Sequence, residues 1–116
     1  VVRANPGLFR LLDSKEMIRG FTATNSGFYA PQGRSLRMQP EDPDIDRTMA
    51  AFRYGELRIT NMEMETAGIF GLAALMGHKA ASVNCIIANR VDGTFSKDPR
   101  AAVAATIEQT LDNLTG

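Results

Sequence analysis

An α/β fold built in helix–sheet–helix layers is the fold class this sequence predicts, and three features predict it. Helix-spaced and strand-like segments alternate along all 116 residues. The run from Lys79 to Asn89 holds Ala81, Val83, Cys85, Ile86, Ile87 and Ala88, a near-continuous apolar stretch that suits a central strand covered on both faces. Polar loops follow directly on strand-like segments, where α/β proteins place ligand contacts.

Asn5-Pro6-Gly7 punctuates the start. Leu8, Leu11 and Leu12 then recur at helical spacing, predicting a short amphipathic helix over about residues 7–18. Phe21 to Thr24 reads as a strand, and Asn25-Ser26-Gly27 as the turn after it. The acidic, Pro-containing stretch from Pro40 to Asp46 reads as a solvated surface loop, since it lacks the alternation and central Gly of a calcium loop. Ile45, Met49, Phe52 and Tyr54 predict a helix over about 46–54, ended by Gly55.

Leu57 to Met62 alternates as a short strand and runs into Glu63-Met64-Glu65. The next helix, about 66–76, is apolar nearly all round, which predicts a buried helix closed by Gly77. After the apolar run, Arg90 to Lys97 is a polar loop. Asp98-Pro99 is a helix start, with Asp as N-cap and Pro at the first helical position. Ala102, Val103, Ile107, Leu111 and Leu114 form the stripe of a last helix over about 99–114. No repeat or low-complexity segment interrupts the chain, so residues 1–116 read as a single unit.

The composition is 44% hydrophobic with thirteen basic and thirteen acidic side chains, the profile of one globular unit. Zero net charge gives no electrostatic case for nucleic acid or an anionic membrane, and no apolar run approaches a membrane span. The single Cys85 reads as a small buried hydrophobe and fits a reducing cytoplasm. One His and no Cys cluster give no metal site. The chain opens at Val1 without Met, so an earlier part of the polypeptide is expected.

Three places can carry chemistry. The loop Gly27 to Arg34 sets an aromatic ring (Phe28), a carboxamide (Gln32) and a guanidinium (Arg34) close together. Gln32 offers donor and acceptor side by side and Arg34 a rigid fork of donors, suited to the edge of one flat heterocycle; a plain structural turn explains the loop equally well. Glu63 and Glu65, two apart at a strand-to-helix junction, share a face and can accept from vicinal hydroxyls, or simply favour the helix dipole. Asn89-Arg90 ends the apolar run and faces the same carboxyl-end crevice, or marks a strand surfacing.

Phe28-Tyr29-Ala30-Pro31-Gln32-Gly33-Arg34, then Glu63-Met64-Glu65-Thr66-Ala67, then Ile87-Ala88-Asn89-Arg90 resemble, in order and spacing, the uridine phosphorylases of the nucleoside phosphorylase superfamily. The resemblance covers the C-terminal part of a family subunit. It implies a nucleoside phosphorylase-like fold and cleavage of uridine with phosphate to uracil and ribose 1-phosphate, a step of pyrimidine salvage. It implies no cofactor, with phosphate as co-substrate, and a cytoplasmic homo-oligomer, dimer or hexamer, formed with the N-terminal part of the enzyme.

Residue by residue, the resemblance implies that Gln32 pairs with uracil O2 and N3–H, that Arg34 donates to O4 and that Phe28 packs on the base. Met64 lines the sugar, Glu65 accepts from the ribose 2′- and 3′-hydroxyls with Glu63 a weaker candidate beside it, Arg90 approaches the base, and Ile86 and Ile87 are wall. Arg34, Glu65 and Arg90 are the residues expected to act on the reaction. Purine relatives carry Ser-Asp where this chain has Asn89-Arg90, and Arg90 stays charged and cannot protonate a purine; Asp92 is the nearby stand-in.

The chain departs from the family pattern at Ala30-Pro31 and at Gly33, which puts a different loop shape in prospect. It also holds no glycine-rich anion loop. The phosphate site is therefore expected on residues outside this chain, and the 116 residues alone are expected to be inactive. The alternatives are a purine phosphorylase or nucleosidase relative, or a nucleoside-binding fragment without turnover.

Overall fold

In the computed structural model, which describes residues 1–116, ten short elements follow one another. Asn5 caps α1 (Pro6–Leu12), its side chain accepting from the N–H groups of Gly7 and Leu8. The helix stops at Leu12, earlier than its leucine spacing predicts, because Asp13 turns to extended backbone and binds Arg19 through its carboxylate. Strand β1 (Phe21–Thr24) leads through a 3-10 turn (Ala30–Gln32) to α2 (Ile45–Ala51). Then come β2 (Arg53–Tyr54), β3 (Leu57–Glu63), α3 (Thr66–Leu75), the β4 (Ala88–Asn89) and β5 (Thr94–Phe95) hairpin, and α4 (Pro99–Thr115).

The sheet order is β1-β3-β2, with β1 and β3 parallel and β2 antiparallel to β3. Phe21 meets Phe52 and Tyr54 edge-on, at 5.9 and 6.1 Å between ring centres, and this cluster ties the start of β1 to the segment after α2. The register slips by one residue between Phe21 and Thr22. Just before it, Gly20 passes so close to β3 that a Cβ there would sit 2.8 Å from the Arg58 carbonyl oxygen. Only glycine fits that approach.

The last helix closes on the first. Asn113 Nδ2 donates to the Leu12 carbonyl, and Gln109 Nε2 donates to Ser14 Oγ and Glu16 Oε2. The two ends of the chain are thereby joined around Leu12, the one large apolar side chain that is buried.

Two expectations are corrected. The helix predicted to be buried, α3, stands open: Ile69, Leu72 and Leu75 are 57, 62 and 86% exposed, since its main neighbour is the short strand β1. The apolar run 79–89 joins a ladder only at Ala88–Asn89; from His78 to Ile87 it runs without turn or bend beside no strand of this chain. Cys85 on that run is half-buried.

The junction from β3 to α3 carries the most concentrated bonding. Glu63 Oε2 accepts from the backbone N–H of Glu65 at 2.7 Å and of Thr66 at 2.6 Å, while Oε1 accepts from Thr24 Oγ1 at 2.5 Å. Thr24 Oγ1 in turn accepts from the Ala67 N–H. One carboxylate and one hydroxyl thus satisfy N–H groups that the first turn of α3 leaves without helical partners. Burial pushes the Glu63 carboxyl up, but the hydrogen bonds from Thr24, Glu65 and Thr66 outweigh it and set its pKa below the usual 4.5.

A lowered folded-state pKa stabilises above the unfolded value, and the gain is lost as pH falls through the folded one. Thermal melts of the wild-type chain are therefore expected to weaken on acidification from about pH 4.5 downward, with a smaller loss in Glu63→Gln. Glu63→Ala is expected to cost about 1–2 kcal/mol in a urea titration, the size of a lost helix cap.

Candidate active site

The loop after β1 is a tight knot. Gln32 and Arg34 each donate a backbone N–H to the Tyr29 carbonyl, and Gly33 donates to Ala30. Gly33 has φ +71°, and a Cβ there would lie 2.5 Å from Ile45 Cγ2. Both the left-handed backbone and the close approach of α2 favour glycine here.

Gln32 is 6% exposed, uncommon for a carboxamide on a loop. Arg34 Nη1 donates to Gln32 Oε1 and to the Phe28 carbonyl, both at 2.5 Å. The Arg34 guanidinium lies 3.8 Å over the Phe28 ring, so it covers one face of that ring and is itself held flat. The carboxamide and guanidinium therefore form one preset edge. Gln32 Oε1 has a second lone pair, its Nε2 has both hydrogens, and Arg34 has further donors.

Arg90, at the turn after β4, reaches back across 58 residues to this loop. Its Nη1 donates to the Gln32 carbonyl, and its Nη2 pairs with Asp46 Oδ2 at 3.0 Å. Asp46 is the functional candidate that sequence reasoning missed. It lies at the edge of an acidic stretch read as a solvated loop, yet it stands in the first turn of α2. The helix periodicity of Ile45 and Met49 placed it on α2, but nothing in its own neighbourhood signals the partner. Beside Arg90, Asn89 Nδ2 donates to Asp92 Oδ2 at 2.7 Å, and Asp92 lines the same cleft.

Of the two junction acids, Glu63 is fully engaged as a cap. Glu65 is exposed; its Oε2 accepts from the Met64 N–H and its Oε1 is free. Gln32, Arg34, Asp46, Glu63, Ile87 and Arg90 all line one cleft of about 1,480 Å³, which Ile86 also lines. Phe28, Met64 and Glu65 are outside that lining, half-exposed or exposed at its approaches. The fold thus brings the carboxamide, the two arginines and the carboxylates of Asp46 and Glu63 from four stretches of sequence to a single crevice.

The phosphorylase superfamily profile matches residues 3–115. A uridine phosphorylase of Thermococcus kodakarensis is 35% identical over 89 residues, covering 75% of this chain and 31% of that protein. The crystal structure of a Trypanosoma brucei nucleoside phosphorylase, described as showing uridine phosphorylase activity, matches with a TM-score of 0.85 at 22% identity. It covers 97% of this chain and 42% of the other. The chain thus spans about a third of the length of its curated relative. No helix is long and apolar enough to cross a membrane. With its α/β layers matched over almost their whole extent and its profile match running from end to end, the chain belongs to the phosphorylase superfamily.

Proposed function

We propose that this chain carries the nucleoside-binding part of a uridine phosphorylase, a pentosyltransferase that converts uridine and phosphate to uracil and ribose 1-phosphate. The observation that carries the reading is the preset edge of Gln32 and Arg34 in the cleft that also holds Arg90. A uracil edge presents acceptor, donor, acceptor. Gln32 Nε2 donates to O2, Gln32 Oε1 accepts from N3–H, and Arg34 donates to O4. Cytosine places an amino group where Arg34 donates, and is rejected because both donors then lack acceptors.

As the C1′–N1 bond breaks, its electron pair moves into the base and negative charge grows on O2 and O4. Donors already aimed there hold that charge more tightly than they hold neutral uracil. A phosphate oxygen attacks C1′, and the proton the phosphate gives up balances the one uracil gains at N1. Glu65, with a free carboxylate oxygen, accepts from the ribose hydroxyls, and Met64 lines the sugar. Arg90 acts through Gln32: it fixes the carbonyl of the residue that reads the base. Phe28 holds Arg34 flat as well as offering its rim to the base.

The phosphate ligands are assigned to polypeptide outside these 116 residues, within a cytoplasmic homo-oligomer. The pyrimidine reading is favoured over a purine one because Arg90, at the end of the strand, stays charged and cannot supply a proton.

Incubated alone with uridine and phosphate, the 116-residue chain is expected to release no uracil; turnover by the purified chain would overturn that assignment. In an assembled enzyme carrying this sequence, Arg34→Ala is expected to lose most turnover and to lower the preference for uridine over cytidine by about a hundredfold. Unchanged kinetics would make the loop a structural turn. Asp46→Asn is expected to lower kcat/KM for uridine by about ten- to a hundredfold through a displaced Gln32, with partial recovery in Asp46→Glu. An unaltered value would show that Arg90 needs no partner.

A further inference from the structure

Phe95 stands 77% exposed on β5, on the wall of the cleft that holds Gln32, Arg34 and Arg90. Of the chain's six phenylalanines and two tyrosines, only Phe9 and Phe95 line that cleft, and Phe9 belongs to α1, the helix that packs on α4. Phe28, the aromatic of the Gln32 loop itself, is used elsewhere. Arg34 lies over its ring at 3.8 Å, Tyr29 meets it edge-on at 5.3 Å, and it stays outside the cleft lining. A flat base held by its O2–N3–O4 edge still has two faces to remove from water, and binding sites cover such faces with aromatic or aliphatic surface.

The hairpin that carries Phe95 is fixed at both ends. Ala88 lies opposite Phe95 and Asn89 opposite Thr94, and beyond them the Ser96 N–H donates to the Ile87 carbonyl. At the tip, Asn89 Oδ1 accepts from the N–H groups of Val91 and Asp92, and Gly93 turns with φ +65°. Opposite residues of an antiparallel pair project to one side of it, and so do residues two apart along a strand. Phe95, Ala88 and Arg90 therefore share a side, and Arg90 ties that side to the Gln32 carbonyl and to Asp46. The single methyl group of Ala88 is too small to cover a ring, so Phe95 stays bare on the side that Arg90 holds toward the Gln32 loop.

We infer that Phe95 is the aromatic surface against which a face of the base packs, a substrate-binding residue contributed by the β4–β5 hairpin. The inference rests on the nucleoside reading and divides the work within it. Gln32 and Arg34 read the edge of the base and choose among pyrimidines. Phe95 takes a face, and because every base has a π-face its contact adds affinity for uridine and cytidine alike.

The test compares Phe95→Ala and Phe95→Trp with the parent in an assembled enzyme carrying this sequence, by calorimetry with uracil and by uracil release from uridine and cytidine. Phe95→Ala is expected to weaken uracil binding and raise KM for uridine by about ten- to a hundredfold, the loss of one base–aromatic stack. With that contact made equally in ground and transition states, kcat is expected to change little. The preference for uridine over cytidine is expected to stay as in the parent, unlike that of Arg34→Ala. Phe95→Trp keeps a ring and gives this chain its one tryptophan; it is expected to bind uracil as the parent does, with emission that changes as uracil saturates the site. Unchanged KM and uracil binding in Phe95→Ala would overturn the inference alone, provided Arg34→Ala still loses turnover. A lost uridine preference in Phe95→Ala would make Phe95 a prop for Arg90 and overturn it too. So would an indole at 95 whose emission ignores bound uracil, a reading that holds even where the alanine variant fails to fold. A parent enzyme that neither binds uracil nor releases it from uridine would overturn the nucleoside reading, and the inference with it.

Discussion

Three hydrogen bonds converge on the carboxylate of Glu63, and the geometry of this chain depends on that convergence. Thr24 ends β1, Glu63 ends β3, and the N–H groups of Glu65 and Thr66 begin α3. One side chain therefore fixes two parallel strands at the same level and sets the helix on top of them. A carboxylate suits the place because its two oxygens accept in different directions and its charge favours a helix N-terminus. The position of Met64 and Glu65 follows from it, since they occupy the tight passage between strand and helix.

The loop from Gly27 to Arg34 is held by a different device. Arg90 ties the Gln32 carbonyl to Asp46, and Arg34 ties the Gln32 side chain to the Phe28 carbonyl. Arg90 holds two acceptors with the two arms of its guanidinium, and Arg34 holds two from the single Nη1. Gln32 is thereby restrained through both its main chain and its side chain. Such restraint is what a hydrogen-bonding site needs if it is to select by geometry instead of adjusting to each ligand.

Features that depend on nearby residues were legible in the sequence. The start of α4 was written in Asp98-Pro99, and the course of β3 in the alternation from Leu57. The candidate cleft was legible as a set of motifs, and Gln32, Arg34, Glu63, Ile87 and Arg90 do meet there. Contacts made across long separations were not. Asp46 carries no local sign of Arg90, and Phe28 gives no hint that Arg34 will lie across it. The run at 79–89 enters a ladder only at Ala88–Asn89, because composition reports what a segment wants covered and not whether a neighbour is present. The same reason separates the burial expected of α3 from the exposure of Ile69, Leu72 and Leu75.

The parallel pairing of β1 with β3 has a kinetic consequence. Thr24 and Glu63 are 39 residues apart, and the Arg90 to Gln32 contact spans 58. Neither can form until a long stretch of chain has been ordered or looped, and closing such loops costs entropy before any contact returns it. Local pieces such as α4 can form early, while the crevice is assembled late. On a ribosome, the Gly27–Arg34 loop would emerge well before the arginine that steadies it, and would wait for it in an unset shape.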